Sequence, residues 1–428
     1  MFGNRSMAPT PALSPGDELE LLLQDVNATS ASARNAWVLL IALEAYFLIA
    51  LAGITHRDLL LGTPVAQPIL QVAVPLRSFV LFGPLVLIVL TAGVLLQHLI
   101  LARKLKALDA GLTRQEALPL THPARLRVHS HYISQLEAGP EPNAVVRAGF
   151  RAIDWLFLRL IPIGLLLAFQ ITYLPVHDVE ITWWHRIYVL AGLLIVAGTS
   201  HFLAGLEKVY PGHETLASDT VLRRFAAGLA GALVLAFSVA VATVPGEWID
   251  RALGSVSSVA TPVPVQALGN VVRDLPPGAR GRQAFLPTAL LFEGQVDDWT
   301  RRPTSFFSRN LIVMDEDLVS DAQGSADTTS LSLRGRDLNH ATFDRSDLRR
   351  ADLTDTSLKG ASLIETNLEG AKLVRVRLQG ADLSLARLPG VEVEAVLLDG
   401  ARLCEGDTPF DLSMSADVQR IACHGRSR

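Results

Sequence analysis

The sequence predicts an α + β protein in which a bundle of about five transmembrane helices is followed by a carboxy-terminal β-solenoid. Two observations carry this reading. Five apolar runs of membrane-spanning length lie before residue 245. Then, from Leu331 to Leu403, an apolar residue returns at every fifth position without a miss. A third observation sets the scale: half of the 428 residues are hydrophobic and the mean hydropathy is +0.32. That length leaves room for two or three domains, and nearly all of the apolar excess sits in the first of them.

Residues 1–35 read as a polar tail, with Pro9, Pro11 and Pro15 and an acidic cluster at Asp17, Glu18 and Glu20. No basic stretch leads into an apolar core here, so no cleaved signal peptide is expected.

A transmembrane helical domain is expected over residues 36–245. Its spans are Ala36–Ile54, Ser78–Leu101, Trp155–Tyr173, Ile187–Leu206 and Phe225–Val244. The loop over 102–154 and its borders carries Arg103, Lys104, Lys106, Arg114, Arg125, Arg127, Arg147 and Arg151, more positive charge than any other loop. The positive-inside rule places that loop, and the amino terminus, in the cytoplasm of a bacterial inner membrane. Five crossings then leave everything after Val244 in the periplasm. Trp37 and Trp155 fall at the inner interface, while Tyr173, Trp183, Trp184 and Trp248 fall at the outer one.

Polar residues within spans are expensive and mark candidates for function. Glu44, near the middle of the first span, is the costliest to leave facing lipid. An ion or proton path would use it. No second carboxylate stands in register to relay a proton, so a neutral or hydrogen-bonded Glu44 is the plainer expectation. Gln97 and His98 sit near the inner end of the second span, and Arg159 and Gln170 lie in the third. Pro162 is expected to kink the third span. Gly228, Ala232, Ala236 and Ala240 form a small-residue ridge suited to close packing. His177, Asp178, Glu180 and His185 share a short outer loop beside two tryptophans, and they read as interface residues rather than metal ligands. No nucleophile elbow, phosphate-binding glycine loop or HExxH motif occurs. No catalytic residue, metal or cofactor is therefore expected.

Residues 246–330 are a proline- and glycine-rich transition, for example Pro276-Pro277-Gly278, expected to lead into the solenoid and cover its first coil. Asp317-Leu318 has the look of an isolated, degenerate repeat.

A period of five fits neither a helix at 3.6 nor a flat strand at two. It fits a coil with four short faces, each turned by one pentad. The axis would be filled by Leu333, Leu338, Phe343, Leu348, Leu353, Leu358, Leu363, Leu368, Leu373, Leu378, Leu383, Leu388, Val393, Leu398 and Leu403. Two places before each centre stands a mostly small residue, such as Ala341, Ser346, Ala351 and Thr356. Gly335, Gly360, Gly370, Gly380, Gly390 and Gly400 fall two places after a centre, where the chain must corner.

This pattern resembles the pentapeptide-repeat family, whose repeat reads A(D/N)Lxx and stands intact at Ala351–Leu353 and Ala381–Leu383. The resemblance implies a right-handed quadrilateral β-helix over 331–403, with four pentads per coil and nearly four coils. Arg336, Val376, Val391 and Val396 put larger residues in the small slot, so the last coil is expected to be less regular. Residues 404–428 are expected to form a carboxy-terminal cap. Cys404 and Cys423 could join there as a disulfide, which an oxidising compartment would preserve.

Three functions follow as expectations. The first is a membrane-anchored, non-enzymatic interaction or scaffolding module that meets a protein or cell-envelope partner. The second is a transporter or channel with the bundle as the working part. The third comes from the resemblance: a DNA-mimicking solenoid that shields a topoisomerase. Charge argues against the third, because residues 331–403 hold eleven acids and eleven bases. A net of zero does not imitate a phosphate backbone, so no nucleic-acid partner is expected. The lipid bilayer is a partner by construction. Exposed solenoid ends are able to pair, which leaves a homo-oligomer open.

Overall fold

The computed structural model describes residues 15–67, 72–115, 126–137, 144–207, 217–260, 285–294, 296–319 and 330–403. The expected cap over 404–428, with Cys404 and Cys423, lies outside them. The chain forms two compact units, one from Met1–Ile49, Phe82–Leu166 and Tyr188–Gly228, the other from Ala50–Leu81, Leu167–Ile187 and Leu229–Arg428.

Helix α1 runs Pro15–Gly53 and α3 runs Leu76–Gln115, both far longer than their apolar runs. Residues 15–35, read from composition as polar tail, are thus helical. The reason is a narrow stripe that the polar residues hide. Leu23, Val26 and Ala33 pack against Leu101, Leu105, Leu108 and Val128, which joins the polar halves of both helices in one core. Ion pairs flank the stripe: Lys104 meets Asp25 at 2.8 Å and Arg127 meets Glu20 at 2.7 Å.

Beyond α4 (Tyr132–Glu137), helix α5 (Ala144–Trp155) continues through a π-helical turn at Leu156–Leu160 into α6 (Ile161–Tyr173). Pro162 explains the wide turn. Its ring crowds the carbonyl four residues back, and a π turn relieves that clash. Helix α7 spans Val179–Glu207, and α8 (Ala217–Ala236) ends in a second π turn at Phe237–Val241. Five of these segments are long and apolar enough to cross a membrane: Asp17–Gly53, Leu76–Gly111, Val145–Val176, Val179–Phe202 and Arg224–Val241.

In the second unit, α2 (His56–Leu61) is a short helix fixed at both ends. Thr55 and Asp58 form a capping box, and Gly62 in the left-handed region closes the last turn. A small antiparallel hairpin, β1 (Val65–Gln67) and β2 (Val72–Val74), follows. After the π turn come α9 (Trp248–Ala260) and α10 (Leu286–Phe292).

The repeat stacks in parallel with a register of 20 residues. Ser332 bridges Asp352, Asp337 bridges Ser357, Thr342 bridges Ser362 and Asp347 bridges Asn367. Strand β3 (Lys372–Val374) pairs with β4 (Glu392–Glu394) in the same register. Twenty residues per turn is four pentads per turn. Two faces precede the periodic run, because Ile312 bridges Thr342 and Asp317 bridges Asp347. Their register is 30 rather than 20, ten more residues than four pentads. Val313 and Leu318 occupy the same axial columns as Phe343 and Leu348.

The axial residues from Leu333 to Leu388, and Leu403, are at most 4% exposed. Val393 and Leu398 are half-buried, and Leu397 beside them is exposed. The last coil is therefore looser where the oversized Val391 and Val396 fall. At the corners, Gly360 sits at φ +63°, and a Cβ there would lie 2.7 Å from the His340 ring, so a side chain would meet both strain and a clash.

Candidate functional site: the seat of the solenoid

A stacked coil leaves alternate backbone groups pointing out of its open end, and these need partners. Val313 N–H and Leu318 N–H reach forward to Thr342 and Asp347. Ile312 N–H and Asp317 C=O face the other way. Helix α2 meets them. The Nδ1 atom of His56 accepts from Ile312 N–H at 3.1 Å, and Arg57 donates to the Asp317 carbonyl at 3.3 Å. Arg57 also pairs with Glu316 at 3.6 Å, and Arg336 donates to the Leu59 carbonyl at 3.4 Å. His177, in the left-handed region at φ 58°, completes the seat. Its Nε2 meets the Arg309 carbonyl at 2.8 Å and its Nδ1 lies 3.5 Å from Asp337.

Burial holds the His56 imidazole down to about 4, so near neutral pH it offers a lone pair to Ile312. The sign of the linkage follows. The unfolded histidine takes up its proton near 6.5 and the folded one does not, so the seat is fully stable above that value. As pH falls from about 6.5 to about 4, stability on the order of 3 kcal/mol is lost. Thermal unfolding between pH 7.5 and 4.5 is expected to show this slope, and His56→Gln is expected to flatten it. An unchanged slope in the variant would remove His56 from the seat. Burial raises the Asp337 carboxyl, but the neighbouring His177 and the Asn339 N–H together bring it below the usual carboxylate range.

Behind the seat lies a buried ionic core. Arg309, 1% exposed at its side chain, donates to Asp250 at 2.8 Å and also meets Glu293 and Thr243. Arg186 and Glu247 form a second buried pair, bidentate at 2.6 and 2.8 Å. Gln170 donates to the carbonyls of Ser238 and Ala242 that the π turn exposes, and Ser238 donates to its Oε1 at 2.6 Å. The Arg186 guanidinium lies over the Trp183 ring at 4.6 Å.

The solenoid's charges pair along its columns. Arg345 grips Asp315, Arg375 grips Asp355, Arg402 meets Asp382 and Lys372 meets Glu392. The arginine hydrogen bonds hold the Asp315 and Asp355 carboxyls below the usual carboxylate range. Each of these partners lies one coil away. Trp299 stands clear, 92% exposed, on a turn where Asp297 accepts from the N–H groups of Trp299 and Thr300.

The outer-loop residues are all engaged with protein. Asp178 caps α7 through Ile181 N–H and faces Arg77, Glu180 lies 4.0 Å from Arg77, and His185 meets the Val80 carbonyl. Among the described residues no cluster of three or more metal-ligating side chains occurs. In the first unit Glu44 is 2% exposed, and neither carboxylate oxygen has a hydrogen-bond partner among the described residues. The His98 and His131 rings lie 5.6 Å apart in the same unit, with Trp37 5.9 Å from His131. Burial holds the His131 imidazole down to about 4.

His56, Arg309 and the Arg186–Glu247 pair carry no sequence signal, because no spacing announces partners such as Ile312, Asp250 and Glu247, which lie 256, 59 and 61 residues away. Leu318 was legible as a lone pentad, and His177 and Gln170 as polar residues, without their partners.

Comparison with known proteins agrees with the repeat. Residues 331–363 and 351–390 match the family description "Pentapeptide repeats (8 copies)". No curated protein matches the chain. Among solved structures, a pentapeptide-repeat protein of the Arabidopsis thaliana thylakoid lumen is 25% identical over 24% of this chain and 72% of its own, with a TM-score of 0.15. One from the cyanobacterium Cyanothece 51142 is 24% identical over 23% of this chain and 84% of its own, with a TM-score of 0.12. HetL, involved in heterocyst differentiation regulation in Nostoc sp. strain PCC 7120, is 27% identical over 21% of this chain and 44% of its own, with a TM-score of 0.11. The family match and the register of 20 residues identify the carboxy-terminal segment of this chain as a pentapeptide-repeat solenoid.

Proposed function

We propose that this chain is an integral membrane protein that presents its pentapeptide solenoid as a non-enzymatic interaction or scaffolding module on the periplasmic side. The capped first coil is the observation that carries the reading. An end closed by α2 and His177 is used for attachment, which leaves the sides of the solenoid for a partner. Those sides are charge-paired within themselves, which favours a protein or cell-envelope surface over a polyanion. Trp299, held on its turn by Asp297, is the kind of exposed aromatic anchor on which protein contacts centre.

The test uses the whole protein in cells. A photo-crosslinking amino acid placed at Trp299 is expected to trap a discrete adduct with an envelope component, and no adduct from correctly inserted protein would sink the scaffold reading. A reporter active only in the periplasm, fused after Arg428, is expected to be active. Silence there would overturn the five-span count.

One observation favours a second reading, a transporter or channel: the buried Glu44 carboxylate without a hydrogen-bond partner among the described residues. On that reading proteoliposomes carry an ion or proton flux that Glu44→Gln abolishes. On the scaffold reading Glu44→Gln changes neither flux nor the Trp299 adduct.

A further inference from the structure

One apolar surface is explained neither by the candidate spans nor by the solenoid core. It centres on α10, whose sequence Leu-Pro-Thr-Ala-Leu-Leu-Phe contains no charge. One side of α10 is buried. The Thr288 hydroxyl donates to the Val241 carbonyl, at the end of the fifth candidate span, at 3.1 Å. Phe292 packs with Leu174, Ala242 and Val244. These contacts hold α10 at the level where the third and fifth spans end.

The other side of α10 shows Leu286 and Leu290, one turn apart, 38% and 42% exposed. Phe307 N–H donates to the Leu291 carbonyl, which brings Phe306 alongside, and Phe306 is 85% exposed. The exposed Leu229 and Leu233 of α8 belong to the fifth span itself. Trp248, 60% exposed at the start of α9, stacks on Trp183 near the head of α7 with ring centroids 6.4 Å apart. Tryptophans of this kind mark the level of the lipid headgroups.

We propose that α10 and Phe306 lie in the outer boundary between headgroups and acyl chains, as a lipid-bound element between the last span and the solenoid. A short uncharged helix with one side on protein and leucines on the other suits that layer. Lipid is the occupant because α10 is fastened to the end of the fifth span, which itself exposes Leu229 and Leu233. The proposal rests on the membrane reading above.

The test takes the full chain with Cys404→Ser and Cys423→Ser, and adds Leu290→Cys or Phe306→Cys for an environment-sensitive fluorophore. Reference labels sit at Leu233→Cys, on the span, and Arg349→Cys, on the solenoid. In phosphatidylcholine vesicles carrying nitroxide lipids, labels at 290 and 306 are expected to be quenched severalfold more than the label at 349. A shallow nitroxide should quench them more than a deep one. Quenching at 233 with none at 290 and 306 beyond that at 349 would overturn the inference and leave the membrane reading standing. No quenching at 233 would overturn the membrane reading, and the inference with it.

Discussion

Arg309→Ala is expected to destabilise the second unit by about 3–5 kcal/mol, the cost of breaking a buried ion pair from one side. The guanidinium is the largest fully buried side chain, and it serves Asp250, Glu293 and Thr243 at once. Alanine would leave Glu293, 5% exposed, and Asp250, 11% exposed, as desolvated charges without their cation. The same residue's carbonyl holds His177, so the solenoid seat should loosen with it. Arg309→Lys keeps the charge but loses the planar fork, and is expected to recover only part of the loss. Denaturation of the purified protein in detergent reads the effect. A double-mutant cycle with Glu293→Gln isolates the pair, and additive losses would mean that the two residues do not act together.

Leu363→Ala is expected to cost about 3 kcal/mol, within the range for a buried leucine whose site cannot collapse. Leu363 is 1% exposed and sits in one axial column with Phe343 and Leu383. Both neighbours are held by backbone bonds, Phe343 N–H to the Ser362 carbonyl and Leu383 N–H to the Arg402 carbonyl, so the vacated volume remains. Leu398→Ala, at a half-buried position in the loose last coil, is expected to cost under about 1 kcal/mol. The contrast is the measurement. Equal losses at the two positions would mean that the coils are packed alike from end to end.

The pentad run was legible in the sequence because a solenoid repeats one local rule at every face. Each centre sees the same surroundings 20 residues on, so the period marks corner and core, while the register of four pentads per coil came from the resemblance to the family. The five apolar runs were legible for a similar reason: a helix long and apolar enough to cross a membrane shows itself in composition alone. Where the apolar run ends that signal ends too, which is why α1 reads as a polar tail before residue 36 although Leu23, Val26 and Ala33 form a core stripe. Glu44 and His177 stood out as residue types in unusual places. What surrounds them was not readable.

The sequence by itself determined that a pentapeptide solenoid follows a set of long apolar helices, because both are periodic and periodicity is a local property. Only the tertiary structure decided how the solenoid begins. Its first coil takes two faces from residues outside the periodic run, and its open edge is met by His56 and Arg57 of α2, with His177 beside it, all far away in the chain. The physical reason is that each backbone group at that edge needs a single partner of the right polarity. One lone pair or one guanidinium in the right place satisfies it, and leaves no pattern in the sequence.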